Sequence, residues 1–196
     1  MPGTLRLASV ERREQLLGVG AELFAARAYE DVSMEDVARE AAVSRALLYR
    51  HFASKPRLFA AVYQSAADRL LSEVQLDPAV PLAQQVAAGL DAHIDYFVAN
   101  RNTVLAANRV LAGDPTVQAI ISGELATLRA RLLNTFELRG ESRAATSALL
   151  TSWLVFVRVL CVEWLAQPSF SREQLRDSCV GALLGALGPT EGAVSR

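Results

Sequence analysis

Apolar residues along this chain recur at intervals of three and four, with almost no stretch of strict alternation, and that period is the one an α-helix buries. From Val10 to Ala28, Leu17, Ala21 and Phe24 fall on one stripe while Glu11, Arg12 and Glu14 fall opposite. Ser33-Met34-Glu35-Asp36 has the form of a capping box and predicts a second, short helix to about Ala41. The Ser44 hydroxyl predicts a cap for a third. Ser54 predicts a fourth, with Pro56 tolerated in its first turn, running to about Val74. The two prolines of Leu76–Pro81 make that segment a connector. Further helices are expected at about Leu82–Asn100, Asn102–Ala112, Pro115–Leu138, Glu141–Ala166 and Arg172–Leu187. Gly113-Asp114-Pro115, Arg139-Gly140 and Gln167-Pro168-Ser169 punctuate them. The expected fold is therefore all-α, about nine helices, with a small N-terminal unit over residues 10–70 and a larger C-terminal bundle over 71–196. No internal repeat or low-complexity segment interrupts it.

Composition narrows the partners. With 52% hydrophobic residues among 196, the chain can bury a sizeable core. The net charge is −1 and the pI about 6.1, so any affinity for nucleic acid has to come from a local patch. One such patch exists. Between Ser44 and Arg57 the charged residues are Arg45, Arg50, Lys55 and Arg57, with no acid, a local net of +4. Cys161 and Cys179 are too few for a disulfide framework and read as small buried hydrophobes in a reducing cytoplasm. The N-terminus lacks the apolar stretch of a signal peptide. The run from about Ala144 to Ala166 is membrane-like but carries Thr151, Ser152, Arg158 and Glu163. A charge near a bilayer centre costs ~3 kcal/mol or more, so a buried helix of a soluble, cytoplasmic protein is expected there, with no membrane partner.

The two short helices joined at Ala41-Ala42-Val43 form a helix-turn-helix over residues 33–52, whose second helix suits a DNA major groove. In "VSRALLYRHFASK", Leu48 and Phe52 are expected in the core, which leaves the basic and polar side chains for the groove. Residues 10–64, through "QLLGVGAELFAARAYEDVSMEDVAREAAVS" and "LLYRHFASKPRLF", resemble the DNA-binding domain of the TetR/AcrR family of bacterial transcriptional regulators. The resemblance implies a three-helix helix-turn-helix domain followed by a ligand-binding and dimerisation bundle. It implies phosphate contacts by Ser44, Tyr49, His51 and Lys55, and a backbone contact by the hydroxyl or amide of Ser33. Arg45 would reach a base edge or a phosphate, Ala46 and Leu47 would face bases, and Arg50 joins the residues able to select sequence. The family pattern has glycine where this chain has Ala28, Ala42 and Ala46. The first two are turn positions, where a positive φ would cost alanine about 1 kcal/mol.

Operators read by this motif have two half-sites, so a homodimer is expected. "ALLTSWLVFVRVLCVEWLAQ" is apolar nearly all round, more than one core face needs. In "SCVGALLGALG" small residues permit close helix approach. The interface candidates are Trp164, Ala182, Gly185 and Ala186, and the resemblance implies that the last two helices form a four-helix bundle with their mates. The middle helices would enclose a small-molecule site. Its candidates mix aromatic and polar groups: His93, Tyr96, Phe97, Asn100, Asn108, Arg109, Trp153, Phe156 and Arg158. Arg158, set among Val155, Phe156, Val157, Val159 and Leu160, needs a carboxylate from the protein or from a ligand.

His93 lies between Asp91 and Asp95, but residues two apart point about 200° from one another on a helix, so no metal site is expected. No nucleophile elbow, phosphate loop or paired-cysteine motif is present, so neither an enzyme nor a cofactor is expected. The leading expectation is a repressor released from a palindromic operator by a small apolar or anionic effector. The alternatives are a ligand-independent or architectural DNA-binding protein whose bundle only dimerises, and a helical enzyme or carrier with a vestigial helix-turn-helix.

Overall fold

A computed structural model describes residues 2–73, 79–136 and 140–188. Among the described residues there are nine α-helices and no strand: α1 (Pro2–Ala26), α2 (Met34–Glu40), α3 (Arg45–His51), α4 (Lys55–Glu73), α5 (Leu82–Ala99), α6 (Arg101–Leu105), α7 (Pro115–Leu133), α8 (Gly140–Ala166) and α9 (Arg172–Leu187). The helix expected from Asn102 to Ala112 is split, because a π-helical turn, Ala106–Val110, follows α6. The helix expected to reach Leu138 ends at Leu133, and the last part of that expectation, over 137–138, lies outside the described residues. So do Val74 and the connector as far as Pro78.

The described residues group into two compact units, those within Met1–Arg69 and Asn100–Ile120 and those within Leu70–Ala99 and Ile121–Arg196. The grouping divides α4 between Arg69 and Leu70, where the boundary expected from the sequence is 70/71. α6, the π turn and the start of α7, expected from the sequence in the C-terminal bundle, group with the N-terminal helices. The Asn102 amide donates to the Ala25 carbonyl at 2.9 Å and Arg57 donates to the Thr116 hydroxyl at 3.2 Å, which ties that segment to α1 and α4.

The first unit is built on an aromatic cluster. Phe24 meets Phe59 edge-on at 5.1 Å, and Tyr29 meets Phe59 edge-on at 5.3 Å, arrangements that add to plain burial. Leu16, Val37, Leu48, Phe52 and Leu58 complete the core. At Gly20 a Cβ would sit 3.1 Å from a Val62 methyl, so the small residue lets α1 and α4 pack closely. The turn between α2 and α3 places Ala42 at φ +52, the strained value expected of this position, whereas Ala28 has an ordinary φ of −59.

The second unit packs α5, α8 and α9 around Leu90, Ile94, Phe97, Leu150, Leu154, Leu175 and Leu183. The Trp153 indole donates to the Cys179 carbonyl at 2.8 Å, pinning α8 to α9. Arg172 bridges Asp91 at 3.1 Å and Asp95 at 2.8 Å, pinning the start of α9 to α5. α8 is long and apolar enough to cross a membrane by length and composition alone. Its Arg158, however, is buried against a carboxylate within this unit.

Candidate nucleic-acid interface and ligand cavity

Local capping orders the helix-turn-helix. The Ser33 hydroxyl accepts from the Asp36 amide at 3.1 Å, while the Asp36 carboxylate accepts from the Ser33 amide at 3.1 Å and the Ser33 hydroxyl at 2.7 Å. These bonds to Ser33, with Arg39 alongside, hold the Asp36 carboxyl down to about 2. Both groups of Ser33 assigned to DNA by the family resemblance are thus engaged in the cap. Ser44 caps α3 by accepting from the Leu47 amide at 3.2 Å.

With Leu48 and Phe52 turned into the core, α3 exposes Ser44, Arg45, Ala46, Tyr49 and Arg50; Leu47 and His51 are half-buried. These side chains form one face. Lys55 stands apart from it, because its ammonium donates to the Tyr29 carbonyl at 2.8 Å and lies 4.3 Å from the centre of the Tyr29 ring. The stretch from Ser44 to Arg57 is also not unopposed. Glu35, on α2, accepts from Arg45 at 2.8 Å, and the Arg45 guanidinium lies 5.5 Å from the centre of the Tyr49 ring. A charge count along the sequence misses Glu35, since only the crossing of α2 and α3 brings it beside Arg45.

In the second unit, the ends of α4 and α7 with α5 and α8 enclose a cavity of about 360 Å³. Leu70, Leu71, Leu125, Leu128, Leu132, Leu154 and Val157 give it an apolar lining. Its polar groups are His93, Glu124, Arg131 and Arg158, with Gln84 and Gln85. Arg158 meets Glu124 at 3.3 Å. Burial pushes the Glu124 carboxyl up, and Arg158 offsets part of that rise. Burial, and then the Arg158 charge, push His93 down to about 4, so its imidazole is neutral at physiological pH. The Arg131 guanidinium donates to the Leu71 carbonyl.

Of the expected ligand-site residues, the fold brings His93, Trp153 and Arg158 to this cavity. Phe97 packs against His93 at a tilt, with ring centres 4.0 Å apart, and Tyr96 packs on Phe97; neither lines the space. Asn100, Asn108 and Arg109 group with the first unit. Asn108 donates to the Val104 carbonyl at 2.8 Å, and Arg109 is exposed. Phe156 is 42% exposed on the outer side of α8. The residue that sequence reasoning lacked is Glu124. Nothing distinguishes it from a surface acid until α7 is rotated into place.

The expected contact residues of the last helix, Ala182, Gly185 and Ala186, are exposed. Trp164 is half-buried, its indole donating to the Phe170 carbonyl at 2.8 Å. Cys161 and Cys179 are buried and free, and burial pushes their thiols up to about 12 and about 11, far from the range of a reactive thiolate.

Residues 16–62 match the model of the bacterial regulatory proteins, tetR family. The chain is similar to the HTH-type transcriptional activator FasR of Mycolicibacterium smegmatis, 39% identical over 94 residues, which are 47% of this chain and 43% of that protein. It is similar to the nucleoid occlusion factor SlmA of Shewanella baltica, 31% identical over 127 residues, 65% of this chain and 61% of that protein. The chain thus spans less than two thirds of the length of either relative. In fold it is similar to a tetR-family transcriptional regulator from Streptomyces coelicolor, with a TM-score of 0.80 at 24% identity over 90% of this chain and 80% of that one. It is similar also to the transcriptional regulator FadR of Bacillus subtilis in complex with stearoyl-CoA, with a TM-score of 0.65 at 14% identity over 88% and 98%.

Proposed function

Because the chain belongs to the tetR family of bacterial regulatory proteins, we propose that it is a ligand-responsive transcriptional regulator that grips a two-half-site operator as a cytoplasmic homodimer. The observation that carries this reading is the outward face of α3. Ser44, Arg45, Ala46, Tyr49 and Arg50 stand clear of a core that holds Leu48 and Phe52. Base contacts would come from Arg45, Ala46, Leu47 and Arg50, and phosphate contacts from Ser44, Tyr49 and His51. Lys55, tied to the Tyr29 carbonyl, would reach a phosphate with its remaining N–H donors.

Dimerisation is supported by the outer face of the last two helices. Val155, Phe156 and Val159 on α8 are 45%, 42% and 57% exposed, and Leu184 on α9 is 39% exposed. Beside them Ala182, Gly185 and Ala186 leave room for a mate. Four large apolar side chains on adjacent helices are more than isolated surface hydrophobes. Ligand response is favoured by the cavity of about 360 Å³, inside the roughly 300–1,000 Å³ range of small-molecule sites.

We read the dimer as a repressor, seated on its operator and released by an effector. The relative from M. smegmatis is named an activator, so a reporter gene placed behind the operator reads the sign. Similarity to a nucleoid occlusion factor favours a second reading, in which the protein binds DNA without a small-molecule effector. Selection of bound fragments from the source genome tests the proposal. The expected product is a pseudo-palindrome with half-sites about 34 Å apart, bound by a dimer. Recovery of no preferred sequence would refute the operator reading.

A further inference from the structure

We propose that the cavity of the second unit takes an uncharged, largely apolar molecule bearing one hydrogen-bonding group, which sits against His93 and the Arg158–Glu124 pair, and that the cavity rejects free carboxylates. This rests on the ligand-responsive reading and specifies its effector.

The Arg158–Glu124 pair is already neutral. Arg158 and Glu124 meet at 3.3 Å with side chains only 8% and 4% exposed, so each charge has its counter-charge inside the protein. An entering carboxylate reaches Arg158 only by displacing Glu124, or else adds a third, uncompensated charge to an apolar space. The first course strands the Glu124 carboxylate and the second leaves the entering one uncompensated, and each is strongly unfavourable. His93 supplies no second cation, since burial and the Arg158 charge hold it down to about 4. A neutral imidazole offers one donor or one acceptor to a hydroxyl, carbonyl or ester. The remaining cation at the wall, Arg131, donates to the Leu71 carbonyl. Leucine and valine dominate the apolar part of the lining, which suits an alkyl body.

Dodecanol and sodium dodecanoate share a chain and differ in the head group, which makes them suitable probes. Trp153 lines the cavity and is one of two tryptophans, so intrinsic fluorescence of the full chain reports occupancy. At neutral pH and below micelle-forming concentrations, dodecanol should bind roughly tenfold or more tighter than dodecanoate, as expected for a charge entering an apolar site. Gly89 borders the cavity and an added Cβ there meets nothing within 4 Å, so Gly89→Leu should fill the space and abolish binding of the alcohol. Glu124→Gln should reverse the preference, because Arg158 then lacks its carboxylate. Should that variant fold poorly, the wild-type comparison still decides. Dodecanoate binding as tightly as dodecanol, or tighter, would overturn the inference, as would dodecanoate binding that Arg131→Gln removes. If neither probe shifts fluorescence or melting temperature, the inference falls together with the ligand-responsive reading. If dodecanol wins but leaves operator binding unchanged, the selectivity stands and the reading of the protein as ligand-responsive to such molecules fails.

Discussion

Arg158 on α8 and Glu124 on α7 meet at 3.3 Å, although 34 residues separate them in the chain. The sequence shows only that Arg158, amid five apolar neighbours, needs a carboxylate from somewhere. The fold supplies it internally. Arg158→Met should therefore strand Glu124 in a desolvated site and destabilise the second unit by ~3–5 kcal/mol. Arg158→Met combined with Glu124→Leu should recover most of that loss, since two apolar groups need no pairing. Urea unfolding of both variants checks it; a single variant as stable as wild type would mean that the pair contributes nothing.

His93 gives a pH dependence of definite sign. Its folded-state value, about 4, lies below the ordinary 6.5, so the unfolded chain takes up the proton first. The contribution is whole above 6.5 and is lost as pH falls from there to about 4, amounting to about 3 kcal/mol. Glu124 works in the opposite direction, because its raised value favours the folded state as acid protonates it. Comparing His93→Leu with wild type isolates the histidine. The variant's melting temperature should fall less between neutral pH and pH 4.

Ala42 and Ala28 separate cleanly. Ala42→Gly should stabilise the first unit by about 1 kcal/mol, because φ +52 strains an alanine and not a glycine. Ala28→Gly should bring no gain, since φ there is −59 and glycine only adds freedom to the unfolded chain. Thermal melts of the two variants, run side by side, should move in different directions.

Glu35 and Arg45 should have opposite effects on DNA binding. Arg45→Ala is expected to weaken operator binding by ~1–3 kcal/mol and relax one base pair per half-site. Equal loss on random DNA would make Arg45 a phosphate contact only. Glu35→Gln removes an anion 2.8 Å from that guanidinium. It should tighten binding to every sequence, by at most about threefold for so exposed a pair. Anisotropy titrations with operator and scrambled duplexes distinguish the two effects.

What could be read from the sequence is what contacts within four residues decide. Ser33 with Asp36 and Ser171 with Gln174 form capping boxes, and the helix expected at Arg172–Leu187 has those limits. The inward turn of Leu48 and Phe52 follows from helical spacing in the same way. The strain at Ala42 was legible because turn chemistry is local too. Rotations and crossings of helices decide the rest. They brought Glu35 to Arg45, Glu124 to Arg158 and Lys55 to the Tyr29 carbonyl. They turned Phe156 outward on α8 and grouped Asn108 and Arg109 with the first unit. A helical period says that a residue lies on a face, but the neighbour of that face is chosen by the packing of the whole core, which no window of the sequence contains.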